Sequence, residues 1–367
     1  MQIALTKKLA DALGEKPPAL DNGVNPIFSW TANWTKVWAN RRVEDMLVLV
    51  NHETRFVVAI YQVKRKNLKN VAGMMKAAIA NTLLAMNLNP ELVEKYMDMA
   101  GAVSFVKNSD RQKSSWVSKA GQECTFHVGR KYQGIAKVTS DTVGVLANYM
   151  IVNTSVKTDA GFYPYQAMNA ALTALTGIKP YKYQAFEIKI SLDLEIYTAS
   201  RRLIVPAALK FDQLHRVIQN VFGWDDYHLY DFAFFNGPQR KPVVRLVPFE
   251  GDLEYDADAI LMAEHRLSEY LPEYQQLRYT YDMGDNWEHE IRLLRVIEDF
   301  DMESPYLLEA GGQTPPEDVG GVMGYLNFHE IILNPQHPEY QETKEWARFW
   351  QPELSDWQQQ PRVVWDK

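Results

Sequence analysis

The sequence predicts an α+β fold of two domains, each a mainly antiparallel sheet with helices packed on it. Its 367 residues exceed the roughly 250 that a single hydrophobic core usually serves. Alternating and β-branched segments, which are typical of strands, stand apart from segments with helical spacing. Between residues 177 and 182 the chain carries a glycine and a proline. We place the boundary there, which gives a first domain of residues 1–177 and a second of residues 178–367.

In the first domain, β-branched runs predict strands. The polar residues 51–55 suit a turn, so residues 46–50 and 56–61 are predicted to form a hairpin. Further strands are predicted at residues 2–5 and 125–128. Apolar residues at helical spacing predict helices at residues 7–13, 68–86 and 91–99 and a helical pair between 138 and 175, interrupted at 159–161.

The second domain opens with the clearest pattern in the chain. Residues 186–196 alternate strictly between apolar and polar, which predicts a long half-buried antiparallel strand. A helix is predicted at residues 214–222, with Asp212 in its first turn and Gly223 just past its end. Further strands are predicted at residues 201–206, 228–234, 278–282 and 287–296, and helices at 325–333 and 339–349.

Composition predicts a globular, cytoplasmic protein. Apolar and charged contents of 46% and 23% are ordinary values. No apolar run approaches the roughly twenty residues of a membrane span, and the N-terminal residues lack the order of a signal peptide. The single cysteine, Cys124, excludes an internal disulfide framework and a Cys-rich zinc site.

The two halves carry charge of opposite sign. Residues 1–177 contain 21 Lys and Arg against 13 Asp and Glu, whereas residues 178–367 contain 18 against 33. A basic half could bind nucleic acid, but opposite charges also attract the halves to each other. The basic residues are scattered, and only Lys64-Arg65-Lys66 forms a compact run. Nucleic acid is therefore an alternative partner, behind a protein or a small ligand.

Four ordered blocks in the second half resemble the plasmid pRiA4b ORF-3-like family, also known as passenger proteins of insertion elements. The blocks are residues 201–206, 214–229, 281–289 and 315–325. Ala199-Ser200 stands where the family usually has a tryptophan before the arginine pair. The resemblance, over about residues 181–355, implies an α+β domain associated with mobile genetic elements, in a family without an established biochemical role.

Two further inferences concern the first half of the chain and a possible resolvase activity of the second half. Residues 6–9 (Thr-Lys-Lys-Leu), Trp34, Trp38 and the paired strands make the first half resemble a small uncharacterised domain. A resolvase activity, attached to some relatives of the second half, does not carry over. Serine resolvases need a nucleophilic serine flanked by arginines and a helix-turn-helix, and the sequence has no such arrangement.

The first candidate loop is the predicted turn at residues 282–286, between two strands. After it, Trp287, His289 and Ile291 share one strand face. If that face points inward, His289 lies beside a tryptophan and near Asp282 or Asp285. An Asp–His pair is a general base with its orienting carboxylate, or two ligands of a metal ion.

The second candidate loop is residues 315–325, where Glu317 and Asp318 follow two prolines and precede three glycines and Tyr325. Together with His215 or His228, these carboxylates could complete a divalent-cation site. Structural roles are the alternative, since Asp318 can cap the following helix and turn aspartates satisfy backbone amides. His215 is expected to bond a carbonyl at the core rim. Of the pair Arg201-Arg202, one arginine is expected to form an ion pair with a carboxylate of the protein. The more specific alternative is that it binds an anionic ligand.

These observations lead to three hypotheses. The first is a binding or interaction module that recognises a protein or small ligand in a groove between the two loops. The second is a metal-dependent hydrolase using Asp282, Asp285, His289 and Asp318, although no His-Glu-x-x-His motif is present. The third is a DNA-associated accessory factor. The candidate site comprises Asp282, Asp285, Trp287, His289, Glu317, Asp318, Tyr325, His215, His228 and Arg202.

Overall fold

The computed structural model of the protein describes residues 1–39, 41–129, 139–155, 158–237, 241–254, 256 and 258–364. The chain forms two compact units, Met1–Lys182 and Tyr183–Lys367. Each contains a sheet with packed helices, so the predicted α+β class is confirmed. None of the helices in these described ranges has the length and apolarity that crossing a membrane requires.

The first unit is built on a five-stranded sheet within its described residues, in the order β4-β3-β2-β1-β5. Strand β1 pairs in parallel with β2 and β5, and the other pairings are antiparallel. The strands are β1 (Gln2–Leu5), β2 (Ser29–Ala39), β3 (Arg42–Asn51), β4 (Val57–Tyr61), β5 (Ser104–Lys107), β6 (Val152–Ser155) and β7 (Thr158–Phe162). The helices are α1 (Lys7–Leu13), α2 (Val71–Ala85), α3 (Pro90–Ala100), α4 (Arg111–Gly129), α5 (Ser140–Asn148) and α6 (Pro164–Thr176).

The structure confirms the hairpin β3–β4 and the three N-terminal helices, corrects one prediction, and contains strands that were not predicted. Residues 125–128 do not return to the sheet but end helix α4. Their Thr-Phe-His-Val sequence favours a strand locally, yet Val117, Cys124 and Val128 lie at helical spacing and fill one core cluster. The segments of β2 and β5 are strands that the sequence patterns did not predict. A short hairpin, β6–β7, separates α5 from α6.

The second unit is built on a sheet of nine strands among its described residues, in the order β12-β11-β10-β13-β14-β8-β9-β15-β16. The strands are β8 (Tyr183–Asp193), β9 (Thr198–Pro206), β10 (Tyr230–Phe234), β11 (Val244–Val247), β12 (Ile260–Leu261), β13 (Gln276–Tyr281), β14 (Trp287–Phe300), β15 (Tyr306–Gly311) and β16 (Arg362–Val363). The helices are α7 (Phe211–Phe222), α8 (Leu271–Tyr274), α9 (Gly321–Ile332), α10 (Tyr340–Trp346) and α11 (Asp356–Gln359).

The alternation in β8 places one face of this sheet in the core. Phe186, Ile188 and Ile190 are fully buried with residues of α7 in the main cluster. On the opposite face, the buried carboxylate of Glu187 is held by the guanidinium groups of Arg202 and Arg295. One arginine of the predicted pair therefore meets a carboxylate, as expected.

Arg201, the other member of the pair, is buried and serves the backbone instead. Its guanidinium donates to the carbonyl oxygens of Val221 at 2.7 Å, Gly311 at 3.0 Å and Gly312 at 3.1 Å. These carbonyls lie near the end of α7, at the last residue of β15 and at the residue that follows it. Arg201 is therefore a structural clamp between two chain segments distant in sequence.

The basic run at Lys64 lies just after β4. Arg65 opens a short 3-10 helix, Arg65–Asn70, but the side chains of Arg65 and Lys66 lie outside the described part of the structure.

Candidate functional site

Three loops of the second unit meet at one edge of its sheet. They are the α7–β10 loop (residues 223–229), the β13–β14 turn (residues 282–286) and the β15–α9 loop (residues 312–320). Strand β10 is antiparallel to β13, with Tyr230 opposite Tyr281. Because the first residue of β10 faces the last of β13, His228 just before β10 and Asp282 just after β13 come to the same edge.

A cluster of one histidine and three carboxylates lies where the loops meet. From Nε2 of His228, the distances are 3.2 Å to Oδ1 of Asp318, 3.6 Å to Oδ2 of Asp282 and 3.8 Å to Oε2 of Glu317. Ligand atoms of His228, Asp282 and Asp318 all lie within 4.8 Å of one another. Nε2 of His228 is buried and makes no hydrogen bond of good geometry. We call these four residues the loop cluster.

Glu317 is held at one oxygen and free at the other. Its Oε1 accepts hydrogen bonds from the backbone N–H of Asp225 at 2.9 Å and the phenol of Tyr281 at 3.0 Å. Its Oε2, on the side of His228, is buried without a hydrogen-bond partner. Burial raises the pKa of Glu317, and the two donors and His228 act in the opposite direction. Burial and the neighbouring Glu317 raise the pKa of Tyr281, so the phenol remains a donor.

Two cluster carboxylates sit on residues with left-handed backbone, Asp282 at φ 56° and Asp318 at φ 57°. For Asp282 a local turn explains the conformation, since its Oδ1 accepts the N–H of Gly284 at 2.8 Å. Its second oxygen, Oδ2, is left for His228. Asp318 was expected to cap the following helix, but the N-cap of α9 is Gly320 without any side-chain cap bond. The capping prediction is therefore wrong.

Asp285 belongs to a latch between two loops rather than to the cluster. Its Oδ2 accepts the backbone N–H of Gly320 at 3.0 Å. Gly321 approaches so closely that a Cβ there would lie 2.6 Å from the carbonyl oxygen of Asp285. This contact joins the two predicted candidate loops, and the polar cluster lies in the same group of loops.

A closed ring of hydrogen bonds supports the loop that carries His228. His215 contacts Oδ1 of Asp226 through Nε2 and the phenol of Tyr279 through Nδ1, both at 2.7 Å. Gln219 completes the ring, donating to the phenol of Tyr279 at 3.1 Å and accepting the N–H of Asp226 at 3.0 Å. His215 also stacks on Tyr230, with centroids 3.4 Å apart. It was expected to bond a carbonyl, and it bonds a carboxylate and a phenol instead.

The donors and acceptors present determine where the protons lie in this ring of hydrogen bonds. Burial lowers the pKa of His215, with Asp226 acting in the opposite direction, so the imidazole of His215 carries one N–H near neutral pH. A carboxylate only accepts, so the proton is on Nε2 and Nδ1 accepts from the phenol of Tyr279. Each polar group is then satisfied, and the loop is fixed from within the core.

His289 lies in the core, away from the carboxylates. Trp287, His289 and Ile291 are fully buried, which confirms the predicted inward face. The Nδ1 of His289 donates to the carbonyl oxygens of Trp287 at 3.0 Å and Tyr279 at 3.3 Å. Burial lowers the pKa of His289 to about 3, so it is neutral. Among the described residues no carboxylate bonds it, and His228 is the histidine that lies beside Asp282.

The remaining candidates have other contacts. The phenol of Tyr325 bonds that of Tyr197, and Arg202 lies on the outer sheet face with Glu187. The structure therefore brings together four of the ten predicted residues: His228, Asp282, Glu317 and Asp318. Tyr281, which positions Glu317, was not among them. The antiparallel pairing of β10 and β13 was the signal that could have placed it beside His228.

The cluster has the donor chemistry of a divalent-cation site. One imidazole nitrogen and several carboxylate oxygens suit borderline ions such as Zn²⁺, Mn²⁺ and Co²⁺, whereas all-oxygen sets suit Ca²⁺ and Mg²⁺. Asp282 and Asp318 balance two positive charges, and Glu317 adds a third carboxylate within reach of His228. Buried atoms without a hydrogen-bond partner, here Nε2 of His228 and Oε2 of Glu317, are costly, so an ion beside them would be stabilising.

Comparison with known proteins matches each unit to a family. The profile of the plasmid pRiA4b ORF-3-like protein family matches residues 184–359, and that of a domain of unknown function, DUF6933, matches residues 2–167. The uncharacterised protein y4hQ of Sinorhizobium fredii (strain NBRC 101917 / NGR234) is 36% identical over 162 residues, covering 44% of this chain and 79% of that protein. The crystal structure of MM3350 from Methanosarcina mazei Go1, a protein of unknown function, is 31% identical, with a TM-score of 0.42, and covers 47% of this chain and 95% of that one.

Proposed function

The chain belongs to the plasmid pRiA4b ORF-3-like family, and from the loop cluster we propose that its C-terminal unit is a divalent-cation-binding module. The observation that carries the proposal is the convergence of ligand atoms from His228, Asp282 and Asp318 within 4.8 Å of one another. These residues come from three separate loops, so the convergence is a product of the fold. An ordinary acidic surface lacks the buried, unpartnered Nε2 of His228.

The surrounding contacts support a site formed before the ion arrives. The latch at Asp285 fixes the β13–β14 turn against the β15–α9 loop. The hydrogen-bond ring of His215 fixes the α7–β10 loop. Residues that hold ligands in place strengthen metal binding because less freedom is lost on binding. Glu317 is oriented by Asp225 and Tyr281 and supplies a partner for an ion-bound water.

Isothermal titration of chelator-treated full-length protein with Zn²⁺, Mn²⁺ and Co²⁺ tests the proposal. We expect one ion per chain, and a loss of affinity of about 100-fold or more in His228→Ala, since even outer partners of metal ligands contribute 10–100-fold. His265→Ala is the matched control, because His265 also faces a carboxylate, Glu269 at 3.0 Å, in the same unit. The proposal fails if no ion binds, or if His228→Ala binds as the parent protein does.

The other functional hypotheses remain predictions. The association with mobile elements rests on family kinship, and the cytoplasmic location rests on composition. A DNA-associated role rests on the basic charge of residues 1–177 and predicts an affinity that falls steeply with salt. The hydrolase hypothesis named Asp282, Asp285, His289 and Asp318; of these, only Asp282 and Asp318 lie in the loop cluster, where His228 would take the place of His289.

A further inference from the structure

Exposure is graded across the loop cluster. The side chain of Asp282 is 9% exposed, Glu317 17%, His228 26% and Asp318 69%. One end of the cluster is therefore anchored in the protein and the other opens to solvent. An ion held by these donors would lie at the surface, with its outer side beyond Asp318.

The donor count leaves the coordination of such an ion incomplete. Ligand atoms of three residues converge, and Glu317 lies outside this set, with its Oε2 3.8 Å from Nε2 of His228. Structural zinc sites are closed by four protein ligands, whereas three protein ligands leave a position for water or an exchangeable group. Ions that prefer six donors would leave more positions open. The protein donors occupy the positions on the side of the ion that faces the protein, so the open positions face solvent.

Exposed apolar side chains lie next in sequence to two of the proposed ligands. Tyr227 and Leu229 flank His228, and Met283 follows Asp282; all three are exposed, Tyr227 by 70%. An exposed apolar group beside convergent polar atoms is typical of ligand sites, where a few polar contacts fix the orientation. Three carboxylates against an ion of charge two also disfavour an anionic ligand and favour a neutral oxygen donor.

Resting on the cation-binding function above, we propose that the ion is an open centre that takes an uncharged, carbonyl-bearing ligand with an apolar substituent. The carbonyl oxygen occupies a solvent-facing position on the ion. The substituent packs on Tyr227, Leu229 and Met283. The ligand class is thus an amide or a peptide rather than a phosphate or a free carboxylate.

Visible spectroscopy of the full-length protein loaded with Co²⁺ tests this inference, with acetamide and benzamide as probes. Both probes are expected to shift the Co²⁺ bands saturably. Benzamide should bind about tenfold more tightly, because its ring removes roughly 60 Å² of apolar surface from water. Tyr227→Ser and Met283→Ser should each reduce that preference while leaving Co²⁺ affinity unchanged. Trp357→Ser, at another exposed aromatic residue, should change neither.

Each contrary outcome has a distinct meaning. If Co²⁺ binds through His228 but neither probe moves the spectrum, the centre is closed, and this inference fails while cation binding stands. If both probes bind equally and Tyr227→Ser and Met283→Ser have no effect, the apolar contact is refuted. If Co²⁺ does not bind at all, the proposed function and this inference both fail. Tight binding of inorganic phosphate in place of the amides would overturn the ligand class.

Discussion

Replacing Gly321 by alanine is expected to loosen the latch between two loops of the candidate site. Gly321 has φ 68°, a conformation that L side chains adopt at a cost. Its added Cβ would lie 2.6 Å from the backbone oxygen of Asp285, which cannot rotate away. The left-handed conformation costs alanine about 1–2 kcal/mol, and overpacking of this kind costs about 1–3 kcal/mol more. We therefore expect a loss of about 2–5 kcal/mol in the free energy of unfolding.

Two other glycines separate the cost of the left-handed backbone from the cost of the close contact. Gly237 has φ 74° but open space around it, and Gly251 has open space without a positive φ. Gly237→Ala should therefore lose about 1–2 kcal/mol, from the backbone conformation alone, and Gly251→Ala should change stability little. Their comparison with Gly321→Ala isolates the contact with Asp285.

Urea unfolding of the full-length variants, followed by calorimetry, measures these differences. For a unit of this size the expected loss lowers the melting temperature by roughly 5–15 °C. The transition of the C-terminal unit should move while that of the N-terminal unit stays. If Gly321→Ala loses no more than Gly237→Ala, the close approach to Asp285 does not constrain the loops, and the argument for a latched site is refuted.

Three further predictions concern the supports of the site. Arg201→Lys should lose about 2–4 kcal/mol in urea unfolding, because a lysine cannot satisfy several buried carbonyls at once; exposed Arg266→Lys should lose little. Neutral His289 favours the folded state only above its unfolded pKa of 6.5, so stability should fall as pH falls from 6.5 toward about 3. By linkage the fall is about 2 kcal/mol at pH 5, and His289→Gln should lack this component in acid titrations of stability. His215→Phe should weaken Zn²⁺ binding about tenfold in calorimetry, because it breaks the hydrogen-bond ring that supports the loop of His228. An unchanged affinity would show that this ring does not contribute to cation binding.

The sheet of the second unit was largely predictable because its strands have a clear period of two. Residues 186–192 alternate between buried apolar and outward polar positions, as the sequence indicated. Helix α4 was not predicted, and residues 125–128 at its end were assigned to a strand, because three β-favouring residues there outweighed the longer helical spacing of Val117, Cys124 and Val128. Strand β2 has no clean alternation, since its first four residues are all buried. Local pattern fails where both faces of an element are covered.

The candidate site was predictable in composition but not in arrangement. All four residues of the loop cluster were named from the sequence, yet His289 was assigned to Asp282 because it is near in sequence. The structure contradicts that assignment. His289 faces Phe222, the last residue of α7, and Trp224 in the loop that follows. His228 reaches Asp282 only through the pairing of β10 with β13. Contacts set by strand pairing cannot be read from a single segment.

Asp318 offers the sharpest distinction between a structural and a functional role. It adopts φ 57°, where glycine is favoured, and within the described residues its carboxylate contacts His228 without capping any backbone amide. Asp318→Gly should therefore raise the free energy of unfolding by up to about 1 kcal/mol. The same change should abolish cation binding, since it removes one of three converging donors.

A gain in stability together with a loss of function is the signature of a residue retained for binding. Chemical denaturation and cation titration of this one variant measure both quantities, and Asp258→Gly, at an exposed carboxylate elsewhere in the unit, is the control. If Asp318→Gly is instead destabilised, the carboxylate serves the fold, and the case for a cation at this edge of the sheet weakens accordingly. The conformational cost of an aspartate at a glycine-like position is otherwise without compensation in the contacts it makes.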